Sequence, residues 1–450
     1  MASQDNSSSY LKIIKIATPM MFANLSIPLL GLVDTALLGH QENAVYLGAT
    51  ALGAQLIGII FWAFGFLRMG TTGFTARAYG IDNHQAVYRR LLEALGLSVG
   101  IGLGILLIHP WVLEPAIALL SDTSSELSGL SLEYASIRIW AAPAALATYA
   151  FVGWLIGLQQ MRSVMWILVT TNVLNVLFDY VLIVELGLDS AGAAWASLTA
   201  EYLGFLLGAV LVVKKLAGLQ ILIKAPEIDW TSLVEMFHSS RHLFVRTLCL
   251  LFTFLFFTSQ GALISPETAA ANAILLNLLA LTAYTMDGFA HAAEALCGRA
   301  WGAGKRSAFV EACKGTSVLA ATMAILCTLI LLLGQKPIIT IYTDLENVLL
   351  AAQKDYLWLA FLPLIAIWCY QLDGIFIGIG HTRTMQNAML LSTVVVFLPV
   401  WWLTRSLGNT GLWATMSCFH VARIIGLAYP FSRIMRRQWG KRLDISMFSV

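Results

Sequence analysis

The chain has 450 residues, of which 58% are hydrophobic and only 12% charged, a balance that excludes a set of water-soluble domains. A bilayer-crossing helix takes about 20 apolar residues plus a short connection, so this length accommodates roughly twelve crossings and little else. The 27 Lys and Arg nearly cancel the 25 Asp and Glu, so net charge points to neither nucleic acid nor an acidic partner.

In chain order, the first apolar stretch, 12–38, is too long for a signal-peptide core and is expected to be retained. It carries Met21, an adaptable candidate for a pocket wall, and Pro28, which cannot donate to the Asn24 carbonyl and so weakens the helix. Asp34 follows, making Pro28 a candidate hinge that bends or straightens as Asp34 changes charge. The stretch 46–74 leads into Arg77-Ala78-Tyr79-Gly80. In 90–112, Gly96, Gly100 and Gly104 predict close helix packing, as do Gly204 and Gly208 later. The Gly96 to Gly100 run matches a nucleophile elbow in letters alone, since no strand precedes it. The stretch 131–158 holds Tyr134, Pro143, Gly153 and Gly157. In 163–187, Thr171, Asn175 and Asp179 recur every four residues with Asn172 beside them, a polar stripe that predicts a cavity wall. Ser197 and Thr199, early in 190–213, offer hydroxyls at a similar level.

A connection at 214–234, with Lys215, Lys224 and Pro226, lies near the midpoint, and six more stretches follow: 235–263, 268–296, 308–334, 353–379, 384–404 and 409–434. Asp287, His291 and Glu294 share a face of the eighth stretch, and Asp373 lies near Tyr370 in the tenth. Carboxylates beside aromatic rings suit an organic cation, which makes Asp287, His291, Tyr370 and Asp373 candidate substrate residues. The halves repeat at a shift of roughly 220 residues. Arg77-Ala78-Tyr79-Gly80 matches Arg299-Ala300-Trp301-Gly302, and Pro143, Gly153 and Gly157 match Pro363, Gly374 and Gly378. The expected fold is all-α and polytopic: twelve transmembrane helices in two six-helix lobes related by a pseudo-two-fold axis along the membrane normal. The expected division is an N-lobe at 1–213, a linker at 214–234, a C-lobe at 235–434 and a basic tail at 435–450.

With the N-terminus inside, most Lys and Arg fall at cytoplasmic ends, Arg138, Lys336, Lys354 and Arg405 at external ones, and Arg68 and Arg423 within spans. That bias places both termini in the cytoplasm. Six cysteines without a metal or disulfide spacing predict no metal centre of that kind. Asp34, Asp179, Glu201, Asp287, Glu294 and Asp373 lie within spans, where each acid facing lipid costs about 2.5 to 3.5 kcal/mol, so they must face protein or water. Asp34 and Asp179 fit one membrane depth, and such a pair resists double ionisation and can hold one proton; with Asn175 it offers oxygens that also suit sodium. The second half has Phe254 and Pro399 at the corresponding positions, so the pair belongs to one lobe.

These residues resemble the multidrug and toxic compound extrusion (MATE) family, in its DinF-type branch. The resemblance spans essentially the whole chain and rests on Pro19 and Pro28 followed by Val33-Asp34-Thr35, on Asn175-Val176-Leu177-Phe178-Asp179, and on the stretch from Ala283 through Asp287 to Ala290. It implies a bacterial inner-membrane antiporter, monomeric and without a cofactor, that exports amphipathic, often cationic small molecules by alternating access as protons, or alternatively sodium ions, move inward. By matched position, Asp34, Asn175 and Asp179 form its cation site, with Ser197 where relatives carry a threonine and Tyr134 nearby. The family's Gly-Asp-Thr-Arg exit stands here as Gly380-His381-Thr382-Arg383 and is largely lost as Gln159-Gln160-Met161-Arg162. A lipid-linked precursor flippase of the same superfamily would need a strongly cationic cavity, whereas the intramembrane charges read as mostly acidic. An intramembrane lipid-metabolising enzyme would need a catalytic cluster near the headgroups.

Overall fold

The structure, a computed structural model, describes residues 2–39, 44–120, 125–220 and 230–440. Among these described residues, the first helix, α1 (Ala2–Gly39), precedes eleven helical stretches long and apolar enough to cross a membrane. These are α2 (Val45–Gly80), α3 (His84–Ala118), α4 (Glu126–Gly157), α5 (Met161–Glu185), α6 (Asp189–Gly218), α7 (Val234–Ile264), α8 (Pro266–Gly302), α9 (Arg306–Leu333), α10 (Glu346–Ile379), α11 (Thr382–Leu407) and α12 (Asn409–Trp439). The chain is an all-α polytopic membrane protein.

Sequence explains most of the irregularities in these helices. α4 tightens into a 3-10 turn at Ile139–Ala141, just ahead of Pro143, which has no N–H to donate. α11 widens into a π-helix at Leu391–Phe397 just ahead of Pro399. A second π-helix, Tyr180–Glu185, closes α5 with no proline to cause it, and it begins at the residue after Asp179. Single-turn π insertions of this kind gather at functional sites.

By contacts the chain forms two units, one running from Phe22 to Met236. In this unit Gly153 and Gly157 let α4 lie against α2: a Cβ on Gly153 would strike the Arg68 carbonyl oxygen, and one on Gly157 would sit 2.7 Å from Thr75 Cβ. The fully buried Trp154 between them donates to the Val87 carbonyl at 2.9 Å. α3 meets α4 through Gly102, whose Cβ would lie 2.6 Å from Pro143 Cα, while Gly96, Gly100 and Gly104 border open space. Among the described residues those three glycines therefore do not make the expected close packing: a four-residue spacing sets them on one open face, and of the α3 glycines it is Gly102 that turns toward α4. Gly204 and Gly208 do pack closely, against Thr171 and Phe151.

The other unit gathers α1 up to Met21 and the chain from Phe237 onward. There Gly374 and Gly378 set α10 against α8, their Cβ positions falling 2.5 Å from the Ala290 carbonyl oxygen and 2.6 Å from that of Glu294. The two glycine pairs make equivalent contacts, each with the helix that exits through Arg-Ala-aromatic-Gly, so the internal repeat is one of packing as well as letters. Gly288 of α8 admits α1, with Ala17 carbonyl oxygen 2.8 Å and Met21 Cγ 2.5 Å from where a Cβ would stand. The start of α1 thus joins the second unit, whereas the division drawn at the linker leaves it in the first lobe. Residues 214–218 of that linker continue α6, and 221–229, like 441–450 of the tail, lie outside the described residues. A closed polar network also holds this unit: Asn409 and Thr410 each donate to Asp355 at 2.7 Å, Asn409 exchanges hydrogen bonds with Asn272, and Trp413 donates to Asn272 at 3.0 Å.

Candidate functional site

In the first unit, the stripe on α5 meets α6 at a buried cluster. Asn175 and Asp179 are one turn apart and buried, and Ser197 faces them from α6. With the Asn175 amide oriented to satisfy its neighbours, its nitrogen donates to Asp179 Oδ2 at 3.2 Å. Its oxygen accepts from the Ser197 backbone N–H at 3.1 Å and from the Ser197 hydroxyl at 3.0 Å. The opposite orientation would set the amide nitrogen against the Ser197 N–H and the amide oxygen against a carboxylate oxygen, each a pairing of like with like. Tyr134 of α4 is buried alongside, packed with Ile183 of the π-helix and with Ala193 and Ala194 at the start of α6. The remaining expected members are placed differently. Thr199 lies on the exposed face of α6, two residues and so about 200° from Ser197, and does not join the cluster. Thr171 bonds its own helix, donating to the Ile167 carbonyl at 2.8 Å, and its hydroxyl packs on Gly204. Asn172 donates to the Ser26 hydroxyl of α1 at 2.7 Å, two residues before Pro28. Asp34 lies in α1, but its side chain is outside the described part of that helix.

One turn beyond Ser197 on α6, Glu201 accepts from Arg138 of α4 at 2.5 Å. By sequence Arg138 belongs to an external end. Here it is largely buried beside Tyr134, and the Arg138–Glu201 pair continues the polar cluster across α4 and α6.

In the second unit, Asp287 of α8 is partly exposed one residue from Gly288, against which Met21 packs. His291 and Glu294, on the same helix, bond each other at 3.3 Å and are buried. Tyr370 of α10 lies within the electrostatic reach of Asp287, Asp373 and Arg423. Asp373, expected as an open carboxylate for a cation, is instead clamped: Arg246 of α7 and Arg423 of α12 both donate to its Oδ2, Arg423 at 2.7 Å. Its negative charge is already met by two guanidiniums, so it does not stand open to an organic cation. In the sequence Arg246 counts as one more basic residue on the cytoplasmic side of its stretch, although it stands about three helical turns inside it. Only the ion pair from α7 to Asp373 of α10 reveals its role, and with Arg138 and Arg423 it makes the charge inside the helices mixed rather than mostly acidic. Gln371, fully buried next to Tyr370, carries no sequence signal either; neither atom of its amide has a hydrogen-bond partner among the described residues. No group of three or more His, Cys, Asp or Glu able to hold a metal occurs among the described residues.

Comparisons with known proteins converge on one family. The MatE family profile matches residues 19–181 and 243–403, the two halves of the repeat. The chain is 36% identical over 431 residues to DNA damage-inducible protein F of Escherichia coli K12, covering 94% of this chain and 91% of that protein. It is 23% identical to the probable multidrug resistance protein NorM of Thermotoga maritima, covering 90% of this chain and 88% of that one. The fold matches an outward-facing multidrug resistance MATE transporter of the MOP superfamily with a TM-score of 0.87 at 19% identity, covering 96% of this chain and 97% of that one. A MATE transporter in the straight conformation matches with a TM-score of 0.86 at 20% identity, over 96% and 97% of the two chains. With the profile on both halves and one relative aligned almost end to end, the chain belongs to the MatE family of multidrug efflux transporters.

Proposed function

We propose that this transporter exports amphipathic organic cations across the bacterial inner membrane in exchange for protons, with Asp34, Asn175, Asp179 and Ser197 as its coupling site. The observation that carries this reading is the Asp179–Asn175–Ser197 cluster, buried in α5 and α6 at the start of an unprompted π-helix. An outward-facing acid pair takes up a proton and releases substrate; facing inward it gives up the proton, and the cavity regains affinity for the cation. Alternation between these states ties one movement to the other. Both termini are cytoplasmic in this reading, on the strength of the basic residues at the inner ends.

The orientation of Asn175 favours protons over sodium. A sodium ion between Asp34 and Asp179 would draw on oxygen ligands, and the Asn175 oxygen is already engaged by two donors of Ser197 while its nitrogen faces Asp179. A proton needs only a carboxylate oxygen. The sodium alternative has the same carboxylates in its favour and requires the amide to turn over. The deciding experiment is efflux from proteoliposomes under an imposed proton or sodium gradient, comparing wild type with Asp34→Asn and Asp179→Asn. Loss of proton-driven efflux in both variants supports the proposal. Undiminished efflux in both removes the site, and activity that follows the sodium gradient replaces the ion.

A further inference from the structure

The cluster around Asp373 has a surplus of donors. Arg246, Arg423 and Asp373 are 7%, 2% and 6% exposed, and the two arginines stand about three helical turns or more from either end of α7 and α12. A guanidinium carries five N–H donors, yet both arginines converge on one oxygen, Asp373 Oδ2. The Nε–H of each is shut off from solvent and has no hydrogen-bond partner among the described residues.

The neighbours supply little acceptor capacity. His420 engages its Nδ1 with the Met416 carbonyl at 2.9 Å, Cys369 donates its thiol to the His420 carbonyl at 3.1 Å, and Arg423 lies over the Phe419 ring at 5.6 Å. Two cations against one bonded carboxylate, away from water, is costly unless further acceptors arrive. Guanidiniums meet oxyanions in a planar, two-point geometry that a metal or an organic cation cannot use.

We propose that Arg246, Asp373 and Arg423 form a binding subsite for an oxyanion group, a carboxylate, sulfonate or phosphate carried by an amphipathic substrate. The substrate range then extends from cations to zwitterionic and anionic amphiphiles. Asp373 is the internal occupant: it holds the guanidiniums together when the subsite is empty and yields part of their donors to an incoming oxyanion. The subsite lies in the second unit and does not depend on the coupling site in the first, so it is tested by binding at equilibrium without a gradient.

The full-length protein in phosphatidylcholine nanodiscs is titrated calorimetrically with octyltrimethylammonium and with octyl sulfobetaine, which adds a sulfonate, empty discs serving as the blank. Wild type is expected to bind the sulfobetaine roughly tenfold more tightly, the effect of about one charge-assisted hydrogen bond. Arg246→Gln and Arg423→Gln each lose that preference and leave ammonium binding unchanged. Asp373→Asn, which releases both guanidiniums, strengthens sulfobetaine binding, and inorganic sulfate competes for it. Should either glutamine variant fail to fold, Arg423→Lys and Asp373→Asn carry the comparison. Equal affinities in wild type, a preference that survives both arginine substitutions, or weaker sulfobetaine binding in Asp373→Asn would each reduce the cluster to a structural triad.

Discussion

Asn172 on α5 donates to Ser26 on α1 at 2.7 Å, and Ser26 in turn donates to the Ala23 carbonyl at 2.7 Å, so the polar stripe of α5 is tied to α1 within a turn of Pro28. Pro28 offers no N–H to the helix, and Ser26 is the polar group that steadies the backbone just before it. Ser26→Ala and Asn172→Ala are each expected to cost about 1 kcal/mol. In the double variant the losses should add only in part, because both substitutions remove the Asn172–Ser26 bond. Spin labels flanking Pro28 should report a broader distance distribution in either variant; an unchanged distribution with additive losses would remove the hinge from the mechanism.

The hydroxyls of α6 separate by helical phase. Ser197 faces Asn175 and Asp179, while Thr199 points to the exposed face. Ser197→Ala should lower gradient-driven efflux roughly tenfold, since the Asn175 oxygen loses a donor and the amide is less firmly held toward Asp179. Ser197→Thr should keep most activity, and Thr199→Ala should match wild type. Comparable losses in Thr199→Ala and Ser197→Ala, measured in the same proteoliposomes, would show that the cluster does not set the rate.

The glycines divide by what a methyl group would meet. Gly374→Ala places a carbon 2.5 Å from the Ala290 carbonyl oxygen, a backbone atom that cannot swing aside. It should destabilise the protein by about 1 to 3 kcal/mol. Gly100→Ala meets open space, and in a helix it should be neutral or stabilising by up to about 1 kcal/mol. Thermal unfolding of the two variants in the same detergent should move the midpoint in opposite directions, or leave Gly100→Ala unshifted.

The sequence and the structure agree where one dimension suffices. Apolar run lengths mark the spans, and the repeat of Gly153 and Gly157 in Gly374 and Gly378 marks a shared helix crossing. The four-residue period of Asn175 and Asp179 marks their common face. What the sequence leaves hidden depends on partners far apart in the chain. Arg246 stands about three turns inside an apolar stretch with nothing beside it in the sequence to mark a partner, and only the fold brings it to Asp373, 127 residues away. Thr199 and Ser197 look alike in a list of hydroxyls, and helix phase relative to α5 separates them. Gly102 escapes notice because it breaks the four-residue pattern that Gly96, Gly100 and Gly104 keep.

Arg138 and Glu201 join α4 to α6 one turn from Ser197, through a single contact of 2.5 Å. Arg138 Nη1 and Glu201 Oε2 are excluded from solvent and have no hydrogen-bond partner among the described residues, so the pair is held by one of the two bonds it can make. The side chains are 14% and 21% exposed, which sets the pair between an exposed one worth about 0 to 1 kcal/mol and a fully buried one whose disruption costs about 3 to 5. Glu201→Gln should therefore cost about 1 to 3 kcal/mol by leaving Arg138 charged beside Tyr134, and Arg138→Met a similar amount by leaving the carboxylate. The double variant removes both charges and should recover much of the loss. If the pair only braces the helices, efflux follows stability and the double variant transports normally. If the guanidinium also steadies Tyr134 beside the Asp179 cluster, the double variant is stable yet slow, with its pH profile for efflux displaced from wild type.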